Sequence, residues 1–239
     1  MLVGCAFALS TSLLTTSCSS EDLAPQDLDV EQAEAVQREP FMGFEGKITY
    51  YVDEVTGSLE YDAMLEAGHE VYVVMEDDEI AVHGFTSGTK AEAWGDPLGY
   101  NVSQRHAFER EVAAYADANG LDDDSVEPEH MGFQEAAYRE HLGNDEPDGV
   151  AARGAGLLWR GCEGDRGPLQ IVNTKPFITR ARWRNSISSY TGLNVVNQWT
   201  FYDRSWYRDG LGTFIRNGGG WWTLCGTPAN DRTNSIVNI

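Results

Sequence analysis

The stretch Asn230-Asp231-Arg232-Thr233-Asn234-Ser235 decides how the C-terminal part of this chain is interpreted, because a looser copy occurs upstream. That copy is Arg184-Asn185-Ser186-Ile187-Ser188-Ser189. The final serines of the two stretches lie 46 residues apart (235 − 189), which is about the length of one four-stranded β unit. The spacing therefore favours a unit that occurs twice.

Short runs of β-forming residues surround both stretches, separated by Gly, Pro and Asn. The runs are Leu157-Leu158-Trp159, Leu169-Gln170-Ile171-Val172, Phe177-Ile178-Thr179, Trp199-Thr200-Phe201-Tyr202, Thr213-Phe214-Ile215 and Trp221-Trp222-Thr223-Leu224. No helical period connects them, and many short strands with frequent turn signals are typical of a β-sandwich. We therefore expect an all-β domain over residues 157–239.

The preceding segment has a different pattern. Residues 70–75 and 80–85 flank an acidic turn and predict a β-hairpin. One helix is expected from Ser103 to Asn119, where Gly120 would end it, and another over residues 131–142. Residues 41–142 are thus predicted to be an acidic α+β module, which a Gly- and Asp-rich linker over 143–156 joins to the β domain.

The charge changes sign between these two segments. Residues 1–150 carry 6 Lys and Arg against 33 Asp and Glu, whereas residues 151–239 carry 11 against 5. Six of the seven Trp residues also follow residue 150. Such a break in composition marks a domain boundary, and the opposite charges allow the two halves to attract each other.

The N-terminus predicts export. Residues 1–18 are apolar and uncharged up to Cys18, which suits a secretory signal. Leu13-Leu14-Thr15-Thr16-Ser17-Cys18 resembles a bacterial lipobox, which would place a lipid on Cys18; the alternative is an ordinary signal peptide cleaved nearby. Residues 19–40 are acidic and lack aromatics, so we expect a flexible tether. The chain would then lie at the bacterial outer membrane or cell surface, or be extracellular.

The two remaining cysteines, Cys162 and Cys225, both belong to the β domain. In an exported protein they are able to form a disulfide that closes a long loop, which is worth roughly 4 kcal/mol. The alternative is a pair of separate buried thiols.

Familiar catalytic signatures are missing from the sequence, so we expect no enzyme. His69-Glu70 lacks the second His of a zinc protease motif, and Gly84-Phe85-Thr86-Ser87-Gly88 has Ser one place too late for a nucleophile elbow. The five His residues are interpreted as solvated or structural. Arg180, Arg182 and Arg184 alternate with apolar residues, but the acidic half would repel phosphate, so no nucleic acid partner is expected.

The two polar stretches resemble the βγ-crystallin motif, in which two Asn or Asp residues precede two free positions, a Ser or Thr, and a Ser. Asn230, Asp231 and Ser235 match this pattern, with Asn234 in place of the penultimate hydroxyl. In the upstream copy Asn185, Ser188 and Ser189 match, while Arg184 occupies the first position. The resemblance covers residues 157–239 and implies a sandwich of two Greek-key motifs.

The resemblance also implies calcium, because each polar loop of that family lends oxygens to a site that the other loop completes. Carried over, the ligands would be side chains of Asn185, Ser188, Asn230, Asp231 and Asn234 and the carbonyls of Ser186 and Arg232. Arg184 and the positive charge of this segment limit the expectation to one weak site. Hydrogen bonds that only join the turns are the alternative.

Three functions remain open at this stage. The first is a non-enzymatic surface lipoprotein that binds calcium or a partner. The second is a secreted peptidase inhibitor of crystallin-like architecture, whose partner would be a secreted protease. The third is a carbohydrate-binding module, in which Trp206, Trp221 and Trp222 would stack on a polysaccharide.

Overall fold

The computed structural model describes residues 41, 44–76, 78–122, 128–142, 156–162, 169–171, 185–192, 196–217 and 220–237. The predicted signal peptide with Cys18, the acidic tether, the linker up to residue 155 and the strand at 177–179 lie outside these residues. None of the helices described is long and apolar enough to cross a membrane.

The first half contains both strands and helices, whereas the described elements after residue 155 are strands. The strands are β1 (Lys47–Val52), β2 (Val55–Thr56), β3 (Glu70–Met75), β4 (Glu79–Phe85), β5 (Gly156–Trp159), β6 (Leu169–Ile171), β7 (Ser189–Gly192), β8 (Val196–Arg204), β9 (Arg208–Asn217), β10 (Gly220–Thr223) and β11 (Ser235–Val237). The helices are α1 (Tyr61–Glu66), α2 (Gly88–Gly95), α3 (Val102–Asn119) and α4 (Pro128–Leu142), with a 3-10 turn at Asp96–Leu98.

A seven-stranded sheet in the order β11-β8-β9-β3-β4-β1-β2 contains strands from both halves of the chain. β3 and β9 pair in parallel, with Val73 opposite Phe214. The predicted hairpin of β3 and β4 is confirmed, and Val73 lies opposite Val82 in it. Residues of both halves therefore belong to one unit.

This pairing corrects the prediction of two separate domains over 41–142 and 157–239. β3 is apolar on both faces, because Val71, Tyr72 and Val73 are all buried. A strand buried on both faces needs a neighbour on each edge as well as layers above and below. β4 supplies one neighbour and β9 the other.

A second sheet, in the order β10-β7-β5-β6, repeats part of this arrangement. In this sheet β5 pairs with β6, the next strand in the chain, and on its other edge with the later strand β7. In the seven-stranded sheet β8 pairs in the same way with β9 and with the later strand β11. β7 begins at Ser189 and β11 at Ser235. The two polar stretches of the sequence thus lead into equivalent strands.

Side chains of both sheets and of α1 share the largest core. It includes Tyr61 of α1, Val73 of β3, Tyr190 of β7 and Phe214 of β9, and the ring centroids of Tyr190 and Phe201 lie 5.5 Å apart. The other face of the seven-stranded sheet carries α2, α3 and α4. Its two clusters contain, among others, Tyr72, Ile215, Phe108, Tyr202 and Trp206.

Both predicted helices are present, with one correction. α3 ends at Asn119, and Gly120 follows with φ of 62°, a left-handed conformation that glycine adopts readily. The helix begins at Val102, so Ser103 is not its N-cap; the Ser103 N–H instead donates to Asp96 Oδ1 at 3.0 Å. An aspartate from the preceding 3-10 turn therefore satisfies one of the free N–H groups of the first turn.

Candidate functional site

The two polar stretches lie side by side. The Ser188 hydroxyl lies 2.9 Å from Asp231 Oδ1, and the Asp231 N–H donates to the carbonyl of Ile187 at 3.0 Å. The Asn185 N–H donates to the carbonyl of Thr233 at 3.1 Å. Side-chain and main-chain contacts therefore join the turn over residues 185–189 to the turn over residues 230–235.

The two turns also have the same local geometry. Asn185 and Asp231, at corresponding positions, both have left-handed backbone conformations, with φ of 50° and 55°. Asn and Asp tolerate this conformation better than other residues with a Cβ. The sequence pattern is thus explained by a backbone requirement that recurs in each turn.

Hydrogen bonds at the ends of the turns correspond as well. Ser189 Oγ donates to the carbonyl of Gly161 at 2.7 Å, and Ser235 Oγ donates to that of Arg204 at 2.6 Å. One residue earlier, the Ser188 hydroxyl lies 3.1 Å from the carbonyl oxygen of Arg160, and Asn234 Nδ2 donates to the carbonyl of Asp203. Each turn is therefore anchored to the end of the first strand of its own unit.

The predicted calcium ligands are brought together only in part. Asp231, Ser188 and Asn230 converge, with Asn230 Nδ2 donating to Asp231 Oδ2 at 3.3 Å. Oxygens of Ser188, Asp231 and Arg160 thus meet at one point. Within the described residues, no three His, Cys, Asp or Glu residues are grouped closely enough to hold a metal ion.

The other predicted ligands surround this point less closely. The Asn234 amide is used in the bond to Asp203. The guanidinium of Arg232 also bonds to Asp203, with Nε donating to Oδ2 at 3.2 Å. Asn185 is exposed and Ser186 is half-buried. The contacts described for this region therefore favour one cluster of oxygens over two symmetric ones.

A disulfide joins Cys162 and Cys225 next to the turns. Their Cα atoms are 5.7 Å apart, within the range that a disulfide spans. It links the turn after β5 to the loop after β10, and the prediction of this bond over two separate thiols is confirmed.

The predicted tryptophan platform is wrong for Trp206. This side chain is fully buried, and its Nε1 donates to the carbonyl of Asp122 at 2.8 Å. Trp222 is half-buried, with Arg216 over its ring and its ring centroid 6.1 Å from that of Phe44. The side chain of Trp221 lies outside the description.

A second polar centre, which sequence reasoning missed, lies on the helical side of the seven-stranded sheet. We call it the Arg105 network; its members are Glu70, Tyr72, Glu92, Arg105, His106, Glu109 and Tyr202. Arg105 has an exposed fraction of only 3%. Its guanidinium donates from Nη1 to Glu109 Oε1 at 2.9 Å and from Nη2 to Glu70 Oε1. One buried cation therefore holds two carboxylates.

His106 extends the network to a third carboxylate. Its Nε2 lies 2.7 Å from Glu70 Oε1, and its Nδ1 lies 2.8 Å from Glu92 Oε1. Burial opposes protonation, but the hydrogen bonds to Glu70 and Glu92 outweigh burial and the nearby Arg105 charge, so the pKa of His106 is raised. The raised pKa favours the imidazolium form, in which both ring nitrogens donate to these carboxylates.

Glu70 is correspondingly held as an anion. Burial alone would raise its pKa, but the hydrogen bond from His106 and the charge of Arg105 prevail and lower the pKa to about 2. Burial beside Glu109 raises the pKa of the Tyr202 hydroxyl, which stays a neutral donor. Within the network Glu70 is therefore held as an anion and Tyr202 as a neutral donor.

The sequence offered only one local signal for this network. Arg105 and Glu109 are four residues apart on α3 and thus share a face of the helix. Glu70 begins β3 and Tyr202 lies in β8, so pairing of distant strands is needed to bring them there.

Comparisons with known proteins describe the fold only. No family model and no curated protein matches the chain. A solved structure from work on the evolution of the eye lens beta-gamma-crystallin domain fold is 14% identical, covers 38% of this chain and 89% of its own, and has a TM-score of 0.31. A beta gamma crystallin from Ciona intestinalis is 13% identical, with 36% and 100% covered and a TM-score of 0.29. The chain is a large β-sheet fold with a few helices and has βγ-crystallin domains among its structural neighbours.

Proposed function

We propose that this chain is a non-enzymatic binding protein whose strands after residue 155 form two crystallin-like Greek-key units. The observation that carries the proposal is the contact between the Ser188 hydroxyl and Asp231 Oδ1, which pairs the two turns. The equivalent left-handed residues Asn185 and Asp231 and the equivalent strand orders support it independently of overall similarity.

The paired turns are proposed to hold one calcium ion weakly. The ligands would be the Asp231 carboxylate, the Ser188 hydroxyl, the Asn230 amide oxygen and the Arg160 carbonyl, with water completing the six to eight oxygens that calcium requires. Only one of these groups is charged. Affinity falls with the number of charged ligands, so we expect a dissociation constant in the range of about 10⁻⁴ to 10⁻³ M that is typical of extracellular modules.

Thermal unfolding with and without calcium tests this proposal. At ten times the dissociation constant, calcium should stabilise the wild type by about 1.4 kcal/mol and raise its Tm. Asp231→Asn should lose this response while keeping an acceptor for Ser188. Asp78→Asn is the matched control, because Asp78 is exposed on the β3–β4 turn and its replacement removes the same charge.

The alternative is that these hydrogen bonds only join the turns. It predicts no calcium response in the wild type, and that result would rule out the metal site. An equal response in both variants would show that calcium acts elsewhere on this acidic chain.

We further propose export, with a lipid on Cys18 and a partner at the cell surface. The Cys162–Cys225 disulfide supports export, because such bonds persist in oxidising compartments. Incorporation of a labelled fatty acid by the wild type but not by Cys18→Ser would be the expected result; incorporation by neither would remove the anchor from the proposal.

A further inference from the structure

A cavity of about 770 Å³ lies beside the Arg105 network. Glu70, Arg105, His106 and Glu109 form one part of its wall, and the start of β9 around Leu211 forms another. This volume is within the range of sites that enclose small molecules, about 300–1,000 Å³.

Two carboxylates of the cavity wall have unused acceptors. Glu70 Oε1 accepts from Tyr72, Arg105 and His106, and Glu109 Oε1 accepts from Arg105 and Tyr202. Within the described part of the chain, neither Oε2 atom accepts a hydrogen bond. Both side chains are largely buried, with exposed fractions of 27% and 17%. Neither Oε2 atom is among the fully buried polar atoms that lack a partner, so both stay accessible to a donor that enters the cavity.

Gly88 keeps the space beside one of these oxygens open. A Cβ atom at this position would lie 3.7 Å from Glu70 Oε2 and 3.2 Å from His106 Cε1. Gly88 also lines the cavity. A larger residue there would cover the Oε2 atom of Glu70.

The balance of charge selects the sign of the ligand. The network contains three carboxylates, Glu70, Glu92 and Glu109, against Arg105 and His106, so carboxylates outnumber cations in either protonation state of His106. The other charged residues of the cavity wall balance one another, because Glu66 and Asp209 stand against Arg110 and Arg232. An anionic ligand would meet the carboxylates of Glu70 and Glu109 at the cavity wall. The whole chain has a net charge of −21, which concentrates cations near its surface.

We propose that this cavity binds a small cationic molecule through an ammonium or guanidinium group, which donates to Oε2 of Glu70 and of Glu109. Hydrogen bonds between ionised partners are roughly twice as strong as neutral ones. The ligand would neutralise the excess charge of the network and satisfy both free acceptors.

Calorimetric titration of the full chain with spermidine and with n-butylguanidinium tests the proposal. At least one of the two should bind the wild type saturably at one site, whereas neutral glucose should not. Glu109→Gln should weaken binding by about tenfold or more, since it replaces a charge-assisted bond. Glu79→Gln is the control: it removes an equal charge from an exposed pair with Lys47 and should leave the affinity within about twofold.

A variant that binds the cation more tightly than the wild type distinguishes a binding site from an effect of misfolding, because a misfolded variant would lose affinity. Arg110 lines the cavity and is exposed, so Arg110→Glu should tighten binding of the cation, while Arg139→Glu on α4 makes the same change of charge away from the cavity. The proposal is overturned if neither cation binds saturably, if each variant and its control change equally, or if glucose binds as well as the cations. The calcium response of the paired turns should be the same in Glu109→Gln and wild type, so the two proposals succeed or fail separately.

Discussion

At the scale of single residues, the side chain that organises the helical side of the sheet is Arg105. A guanidinium presents several N–H donors in a plane, which allows it to serve Glu70 and Glu109 at once. Such a buried network is costly to assemble and more costly to break, because removing one partner leaves an uncompensated charge. Its charge state therefore makes folding depend on pH.

His106 and His83 should show opposite pH dependences. The pKa of His106 is raised, so its contribution to stability is complete below the ordinary value of 6.5 and disappears as pH rises through the raised folded pKa. Burial lowers the pKa of His83 in spite of its hydrogen bond to Glu54. The contribution of His83 is therefore present above 6.5 and is lost as pH falls through its lowered folded pKa.

We expect His106→Asn to cost more stability at about pH 5 than at about pH 8, which lie on either side of the ordinary histidine pKa. His83→Asn should cost more at the higher pH. The measurement is the free energy of unfolding in urea at both values for each variant and the wild type. If the loss of unfolding free energy changed with pH in the same direction for both variants, the assigned pKa shifts would be contradicted.

At the scale of elements, patterns within a few residues of each other predicted structure well. Two β-forming runs on either side of an acidic turn predicted the β3–β4 hairpin, and Gly120 marked the end of α3. The two turns were recognisable because each has a left-handed position that Asn or Asp tolerates, at Asn185 and Asp231. The start of α3 was misplaced, because its N-terminal N–H group is satisfied by Asp96 rather than by a residue at the cap.

The disulfide is the strongest local constraint on these elements. Cys162 and Cys225 are separated by 63 residues, so closing this loop in the unfolded chain contributes about 4 kcal/mol in the chain-entropy description. We expect the double variant Cys162→Ala, Cys225→Ala to lose roughly 2–4 kcal/mol of stability under oxidising conditions. The measurement is urea unfolding of both proteins with and without reductant.

Reduction supplies the control for this prediction. A reductant should destabilise the wild type to near the level of the double variant and leave the variant itself unchanged. If it lowered the stability of both proteins equally, the loss would come from a source other than the disulfide.

At the scale of the whole molecule, the change in composition at residue 150 was interpreted as a domain boundary. The structure shows instead that the segments before and after it pack against each other. Arg208 of β9 pairs with Asp117 of α3, and Trp206 packs in the cluster that α3 covers. The residues next to a buried strand in the sequence do not reveal which strand pairs with it, because partners such as Val73 and Phe214 are far apart in the chain. For the same reason the Arg105 network, whose members come from α2, α3, β3 and β8, was not predictable from motifs.

A shared sheet and core predict that both halves unfold together. In the described part of the chain the helices all lie before residue 143, whereas six of the seven Trp residues follow residue 150. With Trp94→Phe as background, far-UV circular dichroism reports mainly the first half and Trp fluorescence the second. Their urea midpoints should coincide. Adding Val73→Ala, a fully buried change in β3, should lower both midpoints together by the equivalent of roughly 1–3 kcal/mol. Separate midpoints, or a change in the dichroism alone, would restore the two-domain description, because only then would β9 keep its structure without β3.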